Sequence, residues 1–224
     1  MKKSPILLVI VILLSISCYA QQNKGKIFVG GITAFNLYNQ NSNGTTDHME
    51  RKSMMWGIEI PVGYFVSNAF QVGLIPGYEK YSYTNENLNG NNYYESESEN
   101  NQFVIGPYAR GYINISEKVD FFLDLNAKFG IGKETTSSTQ SNFNDPFIRE
   151  TEGKVRSFST GIYPGVSIQL SKWLYMDASI GRLAYDYNKY EPDDISNSDE
   201  QRKSESFGFA INYFTFGLST RLGR

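Results

Sequence analysis

Residues 119–131, VDFFLDLNAKFGI, place an apolar side chain at every odd position: Val119, Phe121, Leu123, Leu125, Ala127, Phe129 and Ile131. Asp120, Phe122, Asp124, Asn126, Lys128 and Gly130 stand between them. A helix would gather Asn126 and Gly130 onto its apolar stripe. A strand, whose side chains alternate between faces, sorts the charges to one side and the aliphatic groups to the other. The segment is a strand with one wholly apolar face and one face that carries Asp124 and Lys128.

The same period recurs along the chain. Met54, Trp56, Ile58, Ile60, Val62, Tyr64 and Val66 alternate with Met55, Gly57, Glu59, Pro61, Gly63 and Phe65. Residues 70–78 and 103–115 repeat the pattern, as do the even positions of 158–170 and 174–180. A less regular strand over about residues 26–38 opens the set. Another, over about 207–222, closes it with a change of phase near Asn212 and Tyr213 that predicts a bulge. Eight strands result. Three connections are short and alike, each an apolar-Ser-x-x-apolar turn ending at Phe70, Val119 and Leu174. Four are long and polar, residues 39–52, 84–101, 134–154 and 188–205, and are expected to be exposed, mobile loops. Short and long connections alternate strictly.

The first twenty residues stand apart. Lys2 and Lys3 precede an apolar run from Ile6 to Leu14 and a small-residue stretch to Ala20, the pattern of a secretory signal peptide over residues 1–20. The run is too short to span a bilayer, and no later run of 18 apolar residues exists. Residues 21–224 are then one domain. Losing two lysines from a formal charge of −2 leaves −4, which argues against nucleic acid as a partner. Cys18 is the one cysteine and falls within the signal segment, so cleavage after Ala20 leaves no thiol for a disulfide or a metal. Lipidation of Cys18 is the alternative.

Which face is inside follows from size. The polar faces carry Gly57, Gly63, Gly73, Gly77, Gly106, Gly130, Gly132, Gly161, Gly165 and Gly181, whereas the apolar faces are bulky and, in the six clear strands, uncharged. An eight-stranded barrel has a lumen only just wide enough for side chains. The glycine-rich face fits it, so the bulky face points outward and meets lipid. The fold class is therefore all-β: an eight-stranded antiparallel up-and-down transmembrane barrel, with short periplasmic turns and long extracellular loops. Charges facing such a lumen need partners. Asp124 and Lys128 lie about 13 Å apart along one strand and cannot pair with each other. A turn at 116–118 places Arg110 opposite Asp124 and predicts that cross-strand pair. Glu59, Glu79, Arg110, Asp124, Lys128 and Asp177 form the expected structural network of the lumen, plugged further by Tyr108, Tyr112, Tyr163 and Tyr175. Phe70, Phe121 and Trp173 by the short turns, and Trp56, Tyr78, Phe103, Phe158 and Tyr185 by the long connections, occupy the levels of two interfacial girdles. Pro61, Pro76, Pro107 and Pro164 fall inside predicted strands, where bulges are expected to accommodate them.

The strand-turn pattern of VGYFVSNAFQVGLIPGY and the closing strand INYFTFGLSTRLGR resemble the small eight-stranded outer-membrane barrel family of OmpX and the OmpA transmembrane domain. The resemblance implies a place in the outer membrane of a Gram-negative-type bacterium, lipid as the surrounding partner, and handling by the barrel-assembly machinery during insertion. In that family the last strand usually ends in an aromatic residue; here Leu222 is followed by Gly223 and Arg224.

Catalytic and metal motifs are absent from the sequence. His48, the sole histidine, would need Asp47, Ser53 or a distant serine to act as a general base, and neither a Gly-x-Ser-x-Gly nor a His-Glu-x-x-His stretch occurs. The acidic run YEPDDISNSDE lacks the ligand spacing of a calcium loop. No catalytic residue, metal or cofactor is expected. The leading expectation is a monomeric, non-enzymatic barrel with a structural or surface-interaction role, meeting a surface ligand or partner protein through its outer segments. A narrow small-solute channel, a lipid-modifying enzyme using His48 and a secreted soluble barrel remain open as alternatives.

Overall fold

A computed structural model describes residues 23–43, 47–89, 92–142, 145–193 and 201–223. The expected signal peptide, with Cys18, lies outside the described residues, as does most of the acidic run. Nine strands follow in order: β1 Ile27–Asn43, β2 Asp47–Glu59, β3 Val62–Phe65, β4 Phe70–Asn89, β5 Asn92–Ser116, β6 Val119–Asn142, β7 Asp145–Gln169, β8 Leu174–Pro192 and β9 Arg202–Leu222. Neighbours pair antiparallel, and β1 also pairs with β9, which closes the sheet into a barrel. β2 and β3 both lie between β1 and β4, so the nine strands fill eight places around the wall.

Pro61 is what divides β2 from β3. The ladder bridges the break: Gly30 N–H donates to Pro61 O at 2.9 Å, and Ile60 N–H to Pro76 O at 2.8 Å. Pro164 falls at a register shift between β7 and β8, a bulge of the kind expected for a strand proline. Pro76 and Pro107 are exposed and keep their register.

Over the described residues the long connections are strand rather than loop. β5 and β6 hold one unbroken register from Asn114 opposite Asp120 to Asn92 opposite Asn142, and β6 and β7 pair without a break from Val119–Ile168 to Asn142–Asp145. Over the described residues the polar segments continue the membrane strands. Their Thr and Tyr content suits strands. Above the membrane both faces meet water, so nothing imposes the alternation that reveals a strand in sequence. The short turns differ in detail too. Ser116 joins β5, opposite Val119, through an irregularity after Asn114, which leaves a two-residue turn at 117–118.

The faces of β6 divide sharply. Leu123, Leu125, Phe129 and Ile131 are 47%, 55%, 57% and 72% exposed, while Asp124 and Lys128 are 8% and 6% exposed. Lumen-facing glycines make room for bulk: a Cβ on Gly165 would lie 2.3 Å from the Phe122 ring, so that ring rests against bare backbone. The bulge expected near Asn212 is present opposite Gly181, whose φ of +76° suits glycine. It flips the phase of both strands, so that Arg182 and Tyr213 turn inward.

Candidate functional site: the barrel lumen

The outer face supplies the lipid boundary. Trp56 and Tyr78 lie 6.0 Å apart by ring centroid, Tyr78 and Phe103 5.3 Å, Phe129 and Phe158 5.0 Å, and Phe158 and Tyr185 6.5 Å. Phe207, paired with Tyr185, and Phe35, paired with Trp56, carry this aromatic ring around the remaining strands. From Val119 to Ile131 the apolar positions of β6 cover about 40 Å of strand, or about 30 Å of depth at a tilt of ~40°. That approximates the ~25 Å apolar band of an outer-membrane barrel.

The lumen below that ring is filled in two tiers. In the upper tier Lys128 Nζ donates to Glu59 Oε1 at 2.6 Å and to Glu79 Oε1 at 2.8 Å. Gln102 donates from Nε2 to Glu79 Oε2 at 3.0 Å, and its Oε1 accepts from Ser157 Oγ at 2.8 Å. In the lower tier Arg110, 1% exposed, donates from Nε and Nη2 to the two Asp124 oxygens at 2.5 and 2.8 Å and from Nη1 to Asp177 Oδ2 at 3.0 Å. Arg110 faces Asp124 directly across the β5–β6 ladder. The structure thus gathers the six charges singled out in the sequence into two clusters, one per cation.

Sequence reasoning placed Tyr112 in the lumen but missed Phe28, Phe65 and Phe122, which complete an aromatic floor. Phe28, Phe65, Tyr112 and Phe122 pack together toward the short-turn end. The Arg110 guanidinium sits 4.0 Å over the Phe122 ring, and Arg221 sits 3.9 Å over Tyr175 while bonding Asp120 Oδ2 at 3.2 Å. Gln71 bonds Tyr108, and Tyr112 Oη donates to Gln71 Oε1 at 2.9 Å. Phe28 lies in β1, where the period is weak. Arg182, bonded to Asp186 at 2.9 Å, sits beyond the Gly181 bulge, where unbroken alternation would have aimed it at lipid. Tyr108, Tyr112, Tyr163 and Tyr175 are all buried. Between the tiers a cavity of about 20 Å³ has room for about one water.

Above the Lys128 tier the lumen widens into a vestibule of about 500 Å³ that opens toward the long strand extensions. Tyr81, Tyr83, Ser98, Asn100, Gln102, Ser157, Asn188, Tyr190, Ser204 and Ser206 line it, together with charged side chains. Arg202 on β9 reaches across to Glu134 on β6 at 2.8 Å and lies 4.5 Å over the Tyr190 ring. The Tyr190 ring covers Gly153, where a Cβ would come within 2.5 Å of it. The β1–β9 backbone ladder ends at Asn36 and Tyr213, where Asn212 Nδ2 donates to Asn36 Oδ1 at 3.0 Å.

The chain that builds this closed sheet, with its apolar exterior, aromatic ring and plugged polar interior, matches over residues 6–213 the family described as outer membrane protein beta-barrel domain. The chain belongs to this family. Its place is therefore the outer membrane, with lipid around the barrel. No curated protein matches the chain. Among solved structures, similar folds include Ail, the attachment invasion locus protein of Yersinia pestis, at 12% identity over 89% of this chain and 99% of that one, TM-score 0.32. Neisserial surface protein A matches at 15% identity over 87% and 94%, TM-score 0.36. The outer membrane protease OmpT of Escherichia coli matches at 11% over 88% and 96%, TM-score 0.41.

Proposed function

We propose that this barrel is a non-enzymatic, closed outer-membrane mount that presents its long strand extensions to the cell exterior. The observation that carries the reading is the plug. Two cation-centred clusters and an aromatic floor succeed one another down the lumen, and each cation bonds carboxylates from other strands. A water path would have to break these pairs, and leaving a buried charge uncompensated costs about 3–5 kcal/mol.

Catalysis has little to draw on. His48 is exposed on β2 near its outer end, and Ser53 lies five residues along the strand, about 17 Å away, on the opposite face. That is beyond hydrogen-bond reach for a general base. Among the described residues no group of His, Cys, Asp and Glu could hold a metal.

Planar-bilayer recording checks the closed state. The native barrel is expected to give no stepwise conductance in molar potassium chloride. Small, regular steps from the native protein would favour the narrow channel instead.

A further inference from the structure

The vestibule has an unusual electrostatic character. Among the described residues each charged side chain of its lining is matched inside the protein: Lys128 with Glu59 and Glu79, Arg182 with Asp186, Arg202 with Glu134, and Lys189 with Glu191. An anion or a cation entering it finds no spare opposite charge, and binding would require breaking a pair. The rest of the lining is neutral. The hydroxyls of Ser98, Ser204 and Ser206 and the rings of Tyr81 and Tyr83 stand around the space. Serine and tyrosine hydroxyls both donate and accept. An apolar ligand would strip water from these groups without replacing its hydrogen bonds.

From this lining we infer that the vestibule is a binding site for a neutral saccharide of one or two rings. Such a ligand offers hydroxyls as both donors and acceptors, carries no charge, and has C–H faces that pack on tyrosine rings. The volume of about 500 Å³ lies within the usual ~300–1,000 Å³ range of small-molecule sites. The sugar can come from two sources. A free saccharide enters through the outer opening. A sugar carried on a lipid enters along the line above Asn36 and Tyr213, where the β1–β9 ladder stops. The site stands apart from the closed-mount reading, since its floor is the Lys128 tier whether or not the tiers beneath it conduct.

Saturation-transfer-difference NMR on the full barrel in lipid nanodiscs tests the site. The free probes are maltose and N,N′-diacetylchitobiose, with glucose 6-phosphate and glucosamine as charged counterparts. In a second arm, nanodiscs doped with a monoglucosyl diacylglycerol report whether the lipid-borne sugar competes. Transfer to at least one neutral probe, or to the glycolipid headgroup, is expected. Tyr81→Ala, which removes an accessible ring of the lining and touches no ion pair, should weaken it about tenfold. Ser204→Trp, which fills the space, should abolish it. Competition by the glycolipid assigns the lipid-borne source, and its absence the free one. The inference is overturned if no neutral sugar receives transfer in either arm, if both variants bind like the native barrel, or if the charged counterparts bind as tightly as the neutral ones.

Discussion

Arg110→Met should destabilise the folded barrel by about 3–5 kcal/mol, the usual result of stripping one partner from a buried charge cluster. The reason is specific to this lumen. Arg110 alone bonds both Asp124 and Asp177 in the lower tier, and its guanidinium also lies over Phe122. Methionine fills much of the volume but leaves two buried carboxylates facing each other. Equilibrium urea unfolding from lipid vesicles gives the change directly, and loss of the heat-resistant compact band on cold gels gives it qualitatively. The triple replacement Arg110→Met, Asp124→Leu, Asp177→Leu should recover most of the loss, because apolar groups of similar size replace a buried ionic cluster at little cost. If Arg110→Met alone unfolds like the native protein, the lower tier is hydrated and the plug is not what holds the lumen.

Leu125→Arg is the second large effect, an expected loss of about 2–4 kcal/mol in the same assay. Leu125 points outward, 55% exposed, near the middle of the apolar run of β6. In a water-soluble barrel an exposed leucine could become arginine almost freely. In a bilayer the guanidinium must sit in hydrocarbon or distort the lipid to reach water. The cost should fall toward zero at Ile131, next to the aromatic ring, because the penalty follows depth. Equal, near-zero effects at both positions would place this face in water.

The two effects also mark how far the sequence was legible. In β6 the period-two pattern shows which residues face lipid, because one side meets hydrocarbon and the other a narrow polar lumen, two environments that select opposite residues. The Arg110–Asp124 register followed from turn position, and it survived an error in the turn itself. The irregularity between Asn114 and Ser116 absorbs the extra residue beyond the last in-register pair. The outer segments were illegible for a physical reason. ETTSSTQSN forms strand as regularly as LDLNAKF, but with water on both faces it has no cause to alternate. Arg182 was hidden by one glycine in a left-handed conformation, which reverses the phase of everything beyond it. The vestibule was invisible from single strands, since Asn100, Tyr190 and Ser204 come from β5, β8 and β9 and meet only once the wall has closed.

The direct test is site-directed spin labelling of residues 121–131, one cysteine at a time in a Cys18→Ser background, with the barrel in liposomes. Collision with molecular oxygen, which concentrates in lipid, should peak at Leu123, Leu125 and Phe129 and fall to a minimum at Asp124, Asn126 and Lys128. A profile with the opposite phase, or water-borne nickel chelate reaching Leu125 as easily as oxygen does, would contradict the outward placement of the apolar face.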